Sequence, residues 1–101
     1  MARTGVRKQD LMKVKAHVFV SGTVQDVFFR AQTARAALAN HVTGWVRNLS
    51  NGRVEAVFEG EKRDVEIIVD FCKHGPSGAH VEAAEVTWKN WKGEFSDFRI
   101  L

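Results

Sequence analysis

The chain has 101 residues, of which 45% are apolar, enough for one domain with a single core. Net charge is +3 with a pI near 9.4, but residues 1–15 hold five basic groups against one acidic, and the other 86 residues hold ten against eleven. That distribution argues against a folded body built around nucleic acid, and the absence of any run of about 18 apolar residues argues against a membrane-spanning helix.

Residues 1–12 read as a flexible basic tail, and residues 13–101 as the folded domain. The opening MARTGVRKQDLMKVK has no apolar stretch after its charges, so it does not read as a signal peptide. A soluble cytoplasmic protein is expected.

KVKAHVFV (13–20) alternates, with Val14, Ala16, Val18 and Val20 on one face, which predicts a half-buried strand. SGTVQD (21–26) reads as a loop, followed by a helix to about Asn40. Val27, Ala31, Ala34 and Leu38 fall at i, i+4, i+7 and i+11 and predict its buried stripe. HVTGWVRNL (41–49) and RVEAVFEG (53–60) read as strands, the second with Val54, Ala56 and Phe58 on its inner face. Asn51-Gly52 between them favours a tight hairpin with positive φ at both central residues, making these strands antiparallel neighbours.

Residues 61–74 form the second predicted helix, with Val65, Ile68, Val69 and Cys72 as its stripe and Gly75-Pro76 as its stop. Cys72 on that stripe is a small core residue. As the only cysteine it excludes an intrachain disulfide, and four scattered histidines without CxxC or HExxH spacing indicate no metal site. HVEAAEVTWK (80–89) is a strand whose alternation slips, so a bulge near Ala83–Ala84 is expected. FSDFRIL (95–101) supplies a short last strand.

The order is β-α-β-β-α-β plus a terminal strand. Right-handed crossovers then give an α+β fold, a ferredoxin-like α/β sandwich with an antiparallel sheet of four to five strands and two helices on one face. That fold hosts enzymes, metal carriers and RNA binders, so function must come from a site.

An RNA-reading sheet needs paired aromatics on its central strands. Here only Phe19 and Phe58 are offered, and Trp45, Trp88 and Trp91 read as core or half-buried surface. The serines have no base beside them, and no pair of acids stands out. Anion binding remains. A loop entering a helix presents unpaired backbone N–H groups at the positive end of the helix dipole. Gly22 lets the chain leave the first strand tightly, and Arg30 in the first turn can place a forked guanidinium on phosphate oxygens. Asn48, at the end of its strand, either caps the hairpin turn or orients a water molecule.

VSGTVQDVFFR is similar to the first signature of the acylphosphatases, G-x-V-Q-G-V-x-F-R. GWVRNLSNGRVEAVFEG resembles their second, G-W-V-x-N-x-x-x-G-x-V-E, and FCKHGPSGAHV and KGEFSDFRI resemble later segments in the same order. The resemblance covers about residues 13–101. It implies a hydrolase of small-molecule acyl phosphates that uses no metal and no cofactor, has no membrane or specific nucleic-acid partner, and acts as a monomer. Arg30 would bind the phosphate with the amides of Gly22, Thr23, Val24, Gln25, Asp26, Val27, Phe28 and Phe29, while Asn48 would hold the attacking water.

Two positions depart from the pattern. His41 stands where the family has a helix-ending glycine, and Asn40 is expected to supply the left-handed cap instead. Asp26 stands where the family has glycine in the phosphate loop. As an N-cap it would occupy the very amides a phosphate needs. Close to a phosphate, at ~4 Å, it would cost about 1 kcal/mol in water and about 4 at an effective dielectric of 20. The alternative expectation is therefore a catalytically weakened, anion-binding module on the same scaffold.

Overall fold

A computed structural model describes residues 12–101. The expected basic tail lies outside the described residues, apart from Met12. The elements are β1 (Lys13–Thr23), α1 (Phe29–Ala39), β2 (Thr43–Asn48), β3 (Val54–Glu61), α2 (Lys62–His74), β4 (His80–Asn90) and β5 (Phe98–Ile100). Among the described residues no helix is long and apolar enough to cross a membrane.

The sheet runs β4-β1-β3-β2-β5. β1 pairs antiparallel with both β3 and β4, and β2 pairs antiparallel with β3. This is the expected ferredoxin-like arrangement, with one correction: β5 runs parallel to β2, so the sheet is mixed. Topology forces the change. β4 lies at one edge and β5 at the other, so the chain crosses beneath one end of the sheet through residues 91–97 and re-enters in the direction of β2.

Both helices pack on the face that carries Ala16, Val18, Val20, Val46, Val54, Ala56 and Phe58, all buried in one core with Phe98. α2 buries Val65, Ile68, Val69 and Cys72, the stripe its spacing predicts, and ends at Gly75 with φ 74°. Burial pushes the Cys72 thiol pKa up to about 12, which fits a core residue rather than a nucleophile.

α1 departs from its expected stripe. Its buried residues are Phe29, Thr33 and Ala37, whereas Ala31 is exposed and Leu38 is 64% exposed. The helix starts later than the periodicity suggests, after a left-handed Phe28, and the Phe29 ring enters the core 6.2 Å from that of Phe71. In an alanine-rich helix that one large side chain sets the rotational phase.

β1 continues three residues past its expected end. Gly22 does not begin a loop; it stays in the strand against β4, where a Cβ would lie 2.1 Å from the His80 carbonyl oxygen. The close approach accompanies the bulge in β4. Ser21 pairs with Ala83 and Gly22 with Val81, leaving Glu82 as the extra residue. Val81 and Val86 both reach the core as a result, which is the purpose the slipped alternation implied.

The β2–β3 turn also differs from expectation. Gly52 has φ 89°, but Asn51 is not left-handed, and the turn closes by Gly52 N–H donating to Leu49 O at 3.2 Å. Asn51 instead accepts the Arg53 N–H through its Oδ1 at 3.1 Å. His41 takes the left-handed conformation at φ 57°, correcting the assignment to Asn40, whose φ is −110° and whose Nδ2 donates to Ala36 O.

β3 is buried on both faces over Val54–Glu59, not only through its apolar set. On the helix-free face Glu55 accepts from Arg47 Nε at 2.7 Å and meets His17 Nε2 at 2.7 Å. Glu59 is fully buried and accepts the Lys92 and Glu94 N–H groups at 2.9 and 3.0 Å, so its carboxylate holds the crossover segment. Phe19 lies on this face and Phe58 in the core, so they form no common aromatic platform. Of the tryptophans, Trp45 is half-buried and Trp88 and Trp91 are exposed; none is core.

Candidate active site

The β1–α1 loop, the end of β2 and β5 enclose an open cavity of about 400 Å³. Arg30 and Asn48 both line it, one from the first turn of α1 and one from the last residue of β2. They are 18 positions apart in sequence, and the β1-β3-β2 order brings them to the same end of the sheet.

The N-terminus of α1 carries no side-chain cap and no acidic residue in its first turn. The first helical bond is Gln32 N–H to Phe28 O at 3.0 Å, so the amides before it have no helical acceptor. Asp26 does not cap the helix, which corrects that expectation. It sits two residues before the cap position, exposed, with φ 60°, and is among the residues that line the cavity. The positive φ explains why glycine suits this position, and aspartate tolerates it better than most residues.

Arg30 spends one of its five donors on a bond from Nη1 to Leu101 O at 3.2 Å, which fixes the guanidinium and leaves the rest for a ligand. Asn48 makes no side-chain hydrogen bond to the turn among the described residues. The turn is served by Asn51, while the Asn48 Oδ1 is buried without a hydrogen-bond partner among the described residues. A buried acceptor left unpaired costs on the order of 1–3 kcal/mol.

The remaining loop residues divide. Val24, Phe28 and Phe29 line the cavity with Asp26. Gly22 and Thr23 belong to β1, and Val27 leans on the core. Gln25 turns away from the cavity: its Nε2 donates to Leu49 O at 2.8 Å and to Arg53 O at 3.0 Å. It ties the loop to the turn that follows Asn48 and so sets the spacing between the two halves of the site. Sequence reasoning missed this role, and it missed Ile100, which closes the cavity from β5. No histidine or cysteine is among the lining residues, and Asp26 is their one carboxyl group.

The acylphosphatase family model matches residues 16–100, nearly the whole described chain. The chain belongs to the acylphosphatase family. An acylphosphatase of Syntrophus aciditrophicus is 58% identical over 90 residues, covering 89% of this chain and 94% of that one. The structure of an acylphosphatase from Coxiella burnetii superposes with a TM-score of 0.84 at 35% identity, covering 95% of this chain and all of the other. That of Bacillus subtilis acylphosphatase gives 0.83 at 30% identity, with 87% and 98% covered. The match along whole chains makes the acylphosphatase fold the scaffold on which this cavity is built.

Proposed function

We propose that the chain hydrolyses acyl phosphates to a carboxylate and inorganic phosphate, with Arg30 and the uncapped amides of α1 on the phosphate and Asn48 on the water. The observation that carries this reading is Arg30 and Asn48 lining one cavity at the uncapped N-terminus of α1. The family match to acylphosphatases supports the reaction type.

The chemistry follows from these groups. The phosphate enters with its oxygens toward the guanidinium and the helix N-terminus, where opposite charge and free donors meet it. The side-chain amide of Asn48 holds the water with an oxygen lone pair aimed at phosphorus. The water oxygen bonds to phosphorus as the bond from phosphorus to the acyl oxygen breaks. The electron pair leaves with the carboxylate, and the proton released by the water ends on a phosphate oxygen. A carboxylate is a good leaving group, so positioning and charge stabilisation supply the catalysis, and no side-chain base is required.

The weakened-module alternative rested on Asp26 occupying the loop amides and on its charge near the phosphate. Asp26 makes no cap bond to those amides, and the family match favours hydrolysis over a module that has lost it. The test is hydrolysis of benzoyl phosphate in 18O-water. Release of benzoate with the label in phosphate is expected. No release, or label in the benzoate, would contradict the proposal.

A further inference from the structure

Phe28 poses a problem that phosphate binding does not solve. It has φ 59° and ψ 21°, a left-handed conformation that a bulky residue rarely takes, and it is 80% exposed. No core packing holds it there, and it makes no side-chain cap bond. Strained residues that persist without structural reward cluster at ligand sites. Phe28 lines the cavity beside Arg30, and Ile100 of β5, 48% exposed, lines it as well. Two large apolar side chains thus stand in water at the mouth of a cavity that also holds the anion-binding groups.

The third rim group is Asp26, exposed and also lining the cavity. Its charge is not neutralised by a cap bond, and it has no salt bridge among the described residues. The polar groups, Arg30 and the α1 amides, account for the phosphate. A substrate seated on them must direct its acyl group toward the rim.

We propose that Phe28, Ile100 and Asp26 form an acyl-group subsite that selects uncharged, apolar acyl groups and rejects acyl groups bearing a second anion. The proposal rests on the acyl-phosphate reading above and names which members of that class the site takes. Phe28 and Ile100 supply apolar surface that an aromatic or branched acyl group covers and an acetyl group does not. Asp26 repels a carboxylate or second phosphate on the acyl chain while leaving a neutral ring unaffected. The residue that departs from the family pattern is then a specificity determinant.

The test compares benzoyl phosphate with 4-carboxybenzoyl phosphate, which differ at the ring end by one negative charge. The wild-type protein should favour the neutral substrate in kcat/KM by about tenfold, the loss expected for like charges some ~8 Å apart at a dielectric between protein surface and water. Asp26→Asn should bring that ratio close to one, and added salt should narrow it in the wild type. Phe28→Ala should reduce the preference for benzoyl over acetyl phosphate by about tenfold. Binding of phenylphosphonate and 4-carboxyphenylphosphonate, followed by NMR, reads the same selectivity without turnover. If benzoyl phosphate is hydrolysed but both ratios match those of the variants, the subsite proposal is wrong and the hydrolase reading stands. If nothing is hydrolysed but the phosphonates are discriminated in an Asp26-dependent way, the subsite stands and the hydrolase reading falls.

Discussion

Asn48 and Arg30 sit on different elements and line one cavity. Arg30 is steadied by Leu101 O, and the Asn48 Oδ1 is buried without a partner among the described residues. A water orienter acts in the transition state more than in substrate binding, so Asn48→Ala should lower kcat by about a hundredfold or more and leave KM nearly unchanged. Steady-state kinetics on benzoyl phosphate checks this; a change confined to KM would place Asn48 in substrate binding instead. His41 is a residue whose backbone works against it. With φ 57° at the end of α1 it carries the left-handed penalty of about 1–2 kcal/mol, partly offset by the chain entropy that glycine would lose. His41→Gly should raise stability by up to about 1 kcal/mol in urea denaturation, without changing activity. These two residues also show what a sequence can carry at this scale. The presence of Arg30 and Asn48 was legible because each stands in a distinctive run. The left-handed site was misplaced to Asn40 because asparagine is the usual substitute for glycine, and the choice between neighbours depends on where α1 ends.

At the scale of elements, the β1–α1 loop and the β2–β3 turn form one unit. Gln25 donates to both Leu49 O and Arg53 O and bridges them across 24 and 28 positions. Gln25→Ala should therefore loosen the loop relative to Asn48 and lower kcat/KM by about tenfold or more, as expected for catalytic groups displaced by a fraction of an ångström to one ångström. The protein should remain folded by circular dichroism; loss of fold with no separate kinetic effect would show that the bond serves stability alone. The strand and helix order was readable because β1, β3 and α2 keep clean periodicities. α1 was not, since its alanines give little contrast and the phase is set by Phe29 entering the core. Nor was the role of Gln25, whose partners are backbone carbonyls in a turn of a different type from the one Asn51-Gly52 suggests.

Across the whole molecule, the helix-free face is organised by charge rather than by apolar cover. Burial alone would push the Glu55 carboxyl up, but hydrogen bonds from His17 and Arg47 outweigh it and hold its pKa below the ordinary carboxylate value. A depressed folded-state pKa means that the contribution is present above the unfolded value, about 4.3, and is lost as pH falls through the folded one. Urea midpoints of wild type and Glu55→Gln should thus differ by the equivalent of about 2 kcal/mol near neutral pH and converge only as pH falls below the ordinary carboxylate range, through the lowered folded-state value. A difference independent of pH would contradict this. A strand that alternates Val, Glu, Ala, Val, Phe and Glu shows only its apolar face in sequence; that Glu55 and Glu59 are also buried depends on the partners that β2, β1 and the 91–97 crossover bring over them. The direction of β5 was hidden for a related reason, because three residues carry no mark of which edge they join. We propose that residues 13–101 form the hydrolase domain, which carries Arg30, Asn48 and the cavity they line. The most direct test of the account is kcat/KM for benzoyl phosphate in the wild-type protein and in Arg30→Ala. The prediction is measurable hydrolysis in the wild type and a loss of about a hundred- to a thousandfold in the variant. Absence of hydrolysis in the wild type, or undiminished turnover without the guanidinium, would contradict it.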